Sequence, residues 1–98
     1  MSISLKRIGV IGAGQMGNGI AHVSALAGYD VVLNDLTEER LQQGLEVIRL
    51  NLTRQASRGQ VTGEAMDAAL RRISTSVSLD DFADVDLAIE AATEDEQV

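Results

Sequence analysis

The stretch Ile8-Gly9-Val10-Ile11-Gly12-Ala13-Gly14-Gln15-Met16-Gly17 constrains this chain more than any other. An apolar run leads into it and a helical pattern leads out, so Gly12, Gly14 and Gly17 fall at a strand-to-helix turn. Gly12 suits the tight turn, Gly14 leaves the backbone open to a pyrophosphate, and Gly17 lets the helix lie close to the sheet. The amides near Gly14, Gln15 and Met16 are then unpaired donors at the positive end of a helix dipole. Eighteen residues past Gly17, at the end of a second apolar run, Val31-Val32-Leu33-Asn34, stands Asp35. Three glycines alone are a weak signal. Between a strand and a helix, with an acid after the next strand, they specify an adenine dinucleotide. Asp35 would accept hydrogen bonds from the ribose hydroxyls and repel a 2′-phosphate, which favours NAD over NADP. Neither Asn34 nor Leu36 brings a positive charge beside it.

Around this turn the pattern alternates strand and helix. Strands are expected at about 6–11, 30–34, 74–77 and 86–91, and helices at about 15–27, 38–58 and 63–72, with a turn at 79–83 and a new helix from about Thr93. In the first helix Met16, Ile20, Val23 and Ala27 form the stripe expected to face the sheet, with Gly17, Ala21 and Ser24 thinning the surface beside it. Gly28 sits where a left-handed cap ends that helix, and Gly59 ends the next. Thr37 with Glu38 and Glu39 reads as a capped helix start, and Thr62 as another. Leu41, Leu45, Ile48 and Leu52 are the core stripe of the second helix; Met66, Leu70 and Ile73 that of the third. A compact crossover needs only about a dozen residues. Asp35 to Ile73 spans 39 residues, enough for two helices projecting as an antiparallel arm.

The fold class is therefore α/β, a Rossmann-type parallel sheet of about four strands with a two-helix arm between strands two and three. A full doubly wound domain has about six strands, so residues 1–98 read as the N-terminal part of a dinucleotide-binding domain. The net charge is −7, and Asp80 to Val98 holds eight acids without one Lys or Arg. No basic patch offers phosphate contacts along a nucleic acid, which excludes that partner class. The absence of cysteine excludes a disulfide framework, a thiol nucleophile and a Cys-based zinc site. No run approaches the roughly 20 apolar residues of a membrane span, and a soluble, cytoplasmic protein is expected.

Three stretches carry a family resemblance: the glycine turn, "GNGIAHVSALAGYDVVLNDLTEE" from Gly17 to Glu39, and "AIEAATE" from Ala88 to Glu94, in this order around the two-helix arm. Together they resemble the N-terminal domain of 3-hydroxyacyl-CoA dehydrogenases over almost the whole chain. The resemblance implies hydride transfer between the 3-hydroxyl of an acyl-CoA and NAD. It implies Asp35 on the adenosine ribose, Ala91 and Glu94 near the nicotinamide half, and the arm facing CoA. Asn51 and Arg58 match CoA contacts where the family often has a serine and a lysine, so the residue types differ while a polar group and a cation remain. Arg58 retains the ability to pair with a phosphate.

The family's catalytic His–Glu pair lies beyond Val98, so no catalytic residue is expected in this segment. The single histidine, His22, falls mid-helix and reads as a packing residue. The resemblance further implies a homo-oligomer formed through a later, all-helical domain. Two alternatives stay open here. One is a β-hydroxyacid dehydrogenase of the 6-phosphogluconate type on the same scaffold, which fits the arm and "AIEAATE" less well. The other is a non-catalytic structural or redox-sensing dinucleotide-binding protein, since a fold does not fix function.

Overall fold

The computed structural model describes residues 6–91. Strand β1 (Arg7–Ile11) leads through the glycine turn into α1 (Gln15–Leu26), then β2 (Asp30–Asn34), α2 (Glu38–Ser57), α3 (Gly63–Arg72), β3 (Ile73–Ser76), a short 3₁₀ turn (Leu79–Phe82) and β4 (Leu87–Glu90). All strand pairs are parallel, in the order β3-β2-β1-β4. This is one half of the doubly wound order plus its first step across the switch point. Val10 and Leu33 are wholly buried at the centre of the sheet, where a parallel strand is covered on both faces.

The helix boundaries follow local signals. Thr37 accepts a hydrogen bond from the Arg40 amide at 3.1 Å, and Thr62 from the Ala65 amide at 3.0 Å, so each caps the helix after it. Gly28, with φ of 108°, takes the left-handed turn that closes α1. Strand β3 begins one residue earlier than expected: Ile73 pairs with Val31, and Val77 lies outside the strand and exposed. Ile73 thus leaves the helical stripe and packs as the first residue of a strand that follows α3 without a loop.

The expected stripe of α1 is not its buried face. Met16 and Val23 are 54% and 63% exposed, and Ala27 is exposed too. The buried residues are Gly17, Asn18, Ala21, His22 and Ala25, with Ile20 partly packed on the core. The cause is tertiary. Helix α1 is sandwiched between the sheet and the two helices that follow, so its thin face points inward. Gly17 lies against Gly12 and Val10. Asn18 meets α2 at Gly44, where a methyl group would come within 2.7 Å of Asn18 Oδ1. Arg72 of α3 donates to the Ala25 carbonyl at 2.7 Å.

The two helices between β2 and β3 form the expected connection, and they are docked rather than free. Leu41, Ile48 and Leu52 are fully buried, with Leu45, Met66 and Leu70 packed against the same core. On the other face of the sheet, the Phe82 ring covers Gly9 so closely that a Cβ there would lie 2.5 Å from the ring. At the sheet edge, Asp86 accepts from the amides of Lys6 and Arg7 at 2.8 and 2.9 Å. Those two bonds hold its carboxyl below the ordinary aspartate range.

Two alanine substitutions in one helix should move stability in opposite directions. A Cβ at Gly17 would sit 1.7 Å from the Gly12 carbonyl oxygen, whereas one at Gly19 meets nothing within 4 Å. Gly17→Ala is expected to cost about 1–3 kcal/mol or more, and Gly19→Ala to stabilise by about 0.5–1 kcal/mol. Urea unfolding midpoints of the two variants check this.

Candidate dinucleotide site

The site begins where β1 ends. Gly12 adopts φ of 108°, which side chains rarely allow, and its amide donates to the Asn34 carbonyl at 2.7 Å. The turn is thereby tied to the end of β2. Gly14 is the extended N-cap of α1, and no side chain caps the helix or places an acid in its first turn. The first intrahelical bond of this end runs from the Asn18 amide to the Gly14 carbonyl at 2.9 Å. The preceding amides therefore have no helical acceptor and point out of the helix end. Among the described residues, nothing lies within 4 Å of a Cβ built on Gly14.

Asp35 closes the other side. Its Oδ2 accepts from the Ala13 amide at 2.8 Å and its Oδ1 from the Leu36 amide at 2.6 Å, with the side chain 9% exposed. The carboxylate is thus clamped onto the glycine turn. Four lone-pair sites on a carboxylate leave acceptor capacity beyond those two bonds.

A crevice of about 800 Å³ opens between these parts, within the range of small-molecule sites. Gly12, Gly14, Gln15, Met16, Asp35 and Ala91 line it, together with Leu36 and Arg40. Gly17 does not line it: buried against Gly12, it sets the height of the helix. Glu94 lies outside the described residues. Arg40 was not foreseen. Its Nη1 stands 4.0 Å from Asp35 Oδ1, so a cation does flank the acid, contrary to what Asn34 and Leu36 suggested. It comes from the first turn of α2, five residues along the chain. A search of the acid's immediate neighbours misses it; counting one helical turn from Thr37 would have found it.

Asn51 and Arg58 come together elsewhere, in a groove of about 370 Å³ between α1 and α2 that also includes Arg54 and His22. Arg54 Nη1 donates to Asn51 Oδ1 at 3.1 Å. His22 is 8% exposed, and its Nε2 lies 2.7 Å from Gln55 Oε1. It is a packed residue at the α1–α2 contact and does not line the crevice.

The uncapped amides, the open space at Gly14 and the clamped acid fit a pyrophosphate followed by a ribose. Fold and crevice together define the dinucleotide-binding domain of a Rossmann-type protein. Sequence comparison narrows this. Residues 7–98 match the family described as 3-hydroxyacyl-CoA dehydrogenase, NAD binding domain, and the chain belongs to that family. It is 58% identical over 98 residues to a 3-hydroxybutyryl-CoA dehydrogenase of Bradyrhizobium diazoefficiens, covering all of this chain and 33% of that protein. A 3-hydroxybutyryl-CoA dehydrogenase of Mycobacterium tuberculosis is 44% identical, over all of this chain and 34% of that protein. The crystal structure of the (S)-3-hydroxybutyryl-CoA dehydrogenase from Ralstonia eutropha superimposes with a TM-score of 0.90 at 39% identity, over 95% of this chain and 33% of that one. The chain thus spans about a third of the length of these relatives. NAD is the cofactor of the domain.

Adding a methyl group at Gly14 separates binding from folding. Gly14→Ala is expected to cost at most about 1 kcal/mol in urea unfolding, the difference between glycine and alanine at an N-cap. NAD affinity measured by calorimetric titration should fall about tenfold, the effect of losing one good hydrogen bond to a charged group.

Proposed function

We propose that this chain is the cofactor-holding portion of an oxidoreductase that moves a hydride between the 3-hydroxyl of a 3-hydroxyacyl-CoA, such as 3-hydroxybutyryl-CoA, and NAD. The observation that carries the reading is the crevice, in which the glycine turn and Asp35 are bonded to one another at the head of α1. The family match favours this reading over a 6-phosphogluconate-type enzyme or a non-catalytic dinucleotide protein.

When bound, NAD supplies the hydride-accepting ring. The residues of this chain bind and orient it. The amides of Gly14, Gln15 and Met16 meet the pyrophosphate, Asp35 accepts from the adenosine ribose, and Ala91 leaves room on the side of the crevice next to β4. Glu94 belongs to the same reading, near the nicotinamide half. Asn51 and Arg58 are the proposed CoA contacts, and their sharing one groove with Arg54 supports a phosphate-binding surface. The carboxylate among the described residues of the crevice, Asp35, is held by the Ala13 and Leu36 amides and assigned to the ribose, and His22 is engaged with Gln55. The dehydrogenase base would thus come from outside residues 6–91. The same reading makes the whole enzyme a cytoplasmic homo-oligomer. Among the described residues no helix is long and apolar enough to cross a membrane.

Calorimetric titration with NAD tests the cofactor assignment. Asp35→Ala should weaken binding far more than His22→Ala, by at least about tenfold for a lost charged acceptor; equal effects would remove Asp35 from the ribose. Activity tests the rest. Residues 1–98 alone should not reduce NAD with 3-hydroxybutyryl-CoA. Joined to the remaining two thirds of the Bradyrhizobium relative, they should. Turnover by the segment alone, or none by the joined protein when it still binds NAD, would count against the reading.

A further inference from the structure

We propose that Arg40 sets how strictly this crevice rejects a dinucleotide bearing a 2′-phosphate, and that it becomes the phosphate's partner once the Asp35 charge is removed. The inference rests on the crevice being the NAD site. Among the described residues that line it, Asp35 and Arg40 are the only charged ones. They stand 4.0 Å apart, Nη1 to Oδ1. Their circumstances differ sharply. Asp35 is 9% exposed and held by two backbone amides, from Ala13 and Leu36. Arg40 is 65% exposed, and among the described residues the 4.0 Å ion pair is the side-chain partner it has. At 4.0 Å, with the guanidinium mostly in solvent, the pair is weak, so the guanidinium is free to turn toward another anion.

This asymmetry divides the work. The fixed carboxylate lies on the glycine turn, where the adenosine ribose would be, and opposes a phosphate dianion. The loosely held guanidinium beside it attracts the same dianion and offsets part of that repulsion. An arginine suits the task because its planar fork binds phosphate oxygens in pairs. With aspartate present, the repulsion is only partly offset, and the crevice takes the cofactor with free ribose hydroxyls. With asparagine in its place the shape remains, with one oxygen to accept from either the Ala13 or the Leu36 amide but not both; Asp35→Ser removes the charge without turning an NH2 toward either. The wall then carries a single positive charge.

The experiment is calorimetric titration of NAD and NADP against the chain and its variants Asp35→Asn, Asp35→Ser, Arg40→Ala and Asp35→Asn/Arg40→Ala, at low and high salt. The expected result is an NADP-to-NAD affinity ratio that rises about tenfold or more in Asp35→Asn and Asp35→Ser, the scale of one charged hydrogen-bonding contact. Most of that gain should vanish in the double variant and shrink with added salt. Arg40→Ala alone should lower the ratio by about two- to fivefold, the scale of an exposed charge pair. An equal NADP gain with and without Arg40 would overturn the proposal. So would the absence of a gain in both single Asp35 variants while they still bind NAD. If the unaltered chain binds neither dinucleotide, the cofactor reading of the crevice fails first, and this inference with it.

Discussion

The first helix lies so near the end of the central strand that there is no room for one methyl group between them. A Cβ at Gly17 would stand 1.7 Å from the Gly12 carbonyl oxygen. That contact sets where the free amides of α1 point, and the rest of the site is built around it. The turn is tied at two further places to the neighbouring strand: Gly12 donates to Asn34, and Ala13 donates to Asp35. The glycine turn and the acid are therefore a single hydrogen-bonded unit. Displacing α1 would move all of it.

This unit explains why one aspartate suits two purposes. Two of its acceptor positions satisfy backbone amides that would otherwise be left unpaired in a partly buried turn. The remainder face a crevice that, among the described residues, no capping side chain fills. An apolar residue at 35 would leave the Ala13 amide without its partner and, in the proposed reading, cost the ribose contact as well. In the proposed reading, loop geometry and cofactor recognition are coupled at this position, while at Gly14 they separate, because no described residue occupies the space above it.

Helix α2 connects the crevice and the second groove. Its first turn brings Arg40 to the dinucleotide crevice, and its last turns bring Asn51, Arg54 and Arg58 to a second groove. From residue 40 to residue 51 an α-helix rises about 17 Å, so the two groups of polar residues are separated along it. What holds the helix in register is its apolar stripe. Leu41, Ile48 and Leu52 are buried to 1% exposure or less, and Gly44 permits close approach to the head of α1. A shift of α2 along α1 would move both surfaces together.

The strand–turn–helix at 7–26, the caps at Thr37 and Thr62, the stripe of α2 and the pairing of a glycine turn with Asp35 were all legible in the sequence, because each depends on local spacing or on one residue's own conformational preference. Three features were decided only by tertiary structure. Periodicity cannot say which side of α1 is covered when helices and sheet compete for it, so the apolar stripe through Met16 and Val23 faces out and the thin stripe through Gly17, Ala21 and Ala25 faces in. The closeness of Arg40 to Asp35 depends on the angle at which α2 leaves the sheet. Phe82 reaches Gly9 across 73 residues of chain, a contact with no local signature. Short-range preferences wrote the elements and the fingerprint. Packing chose the faces, and with them the charge that stands next to the acid.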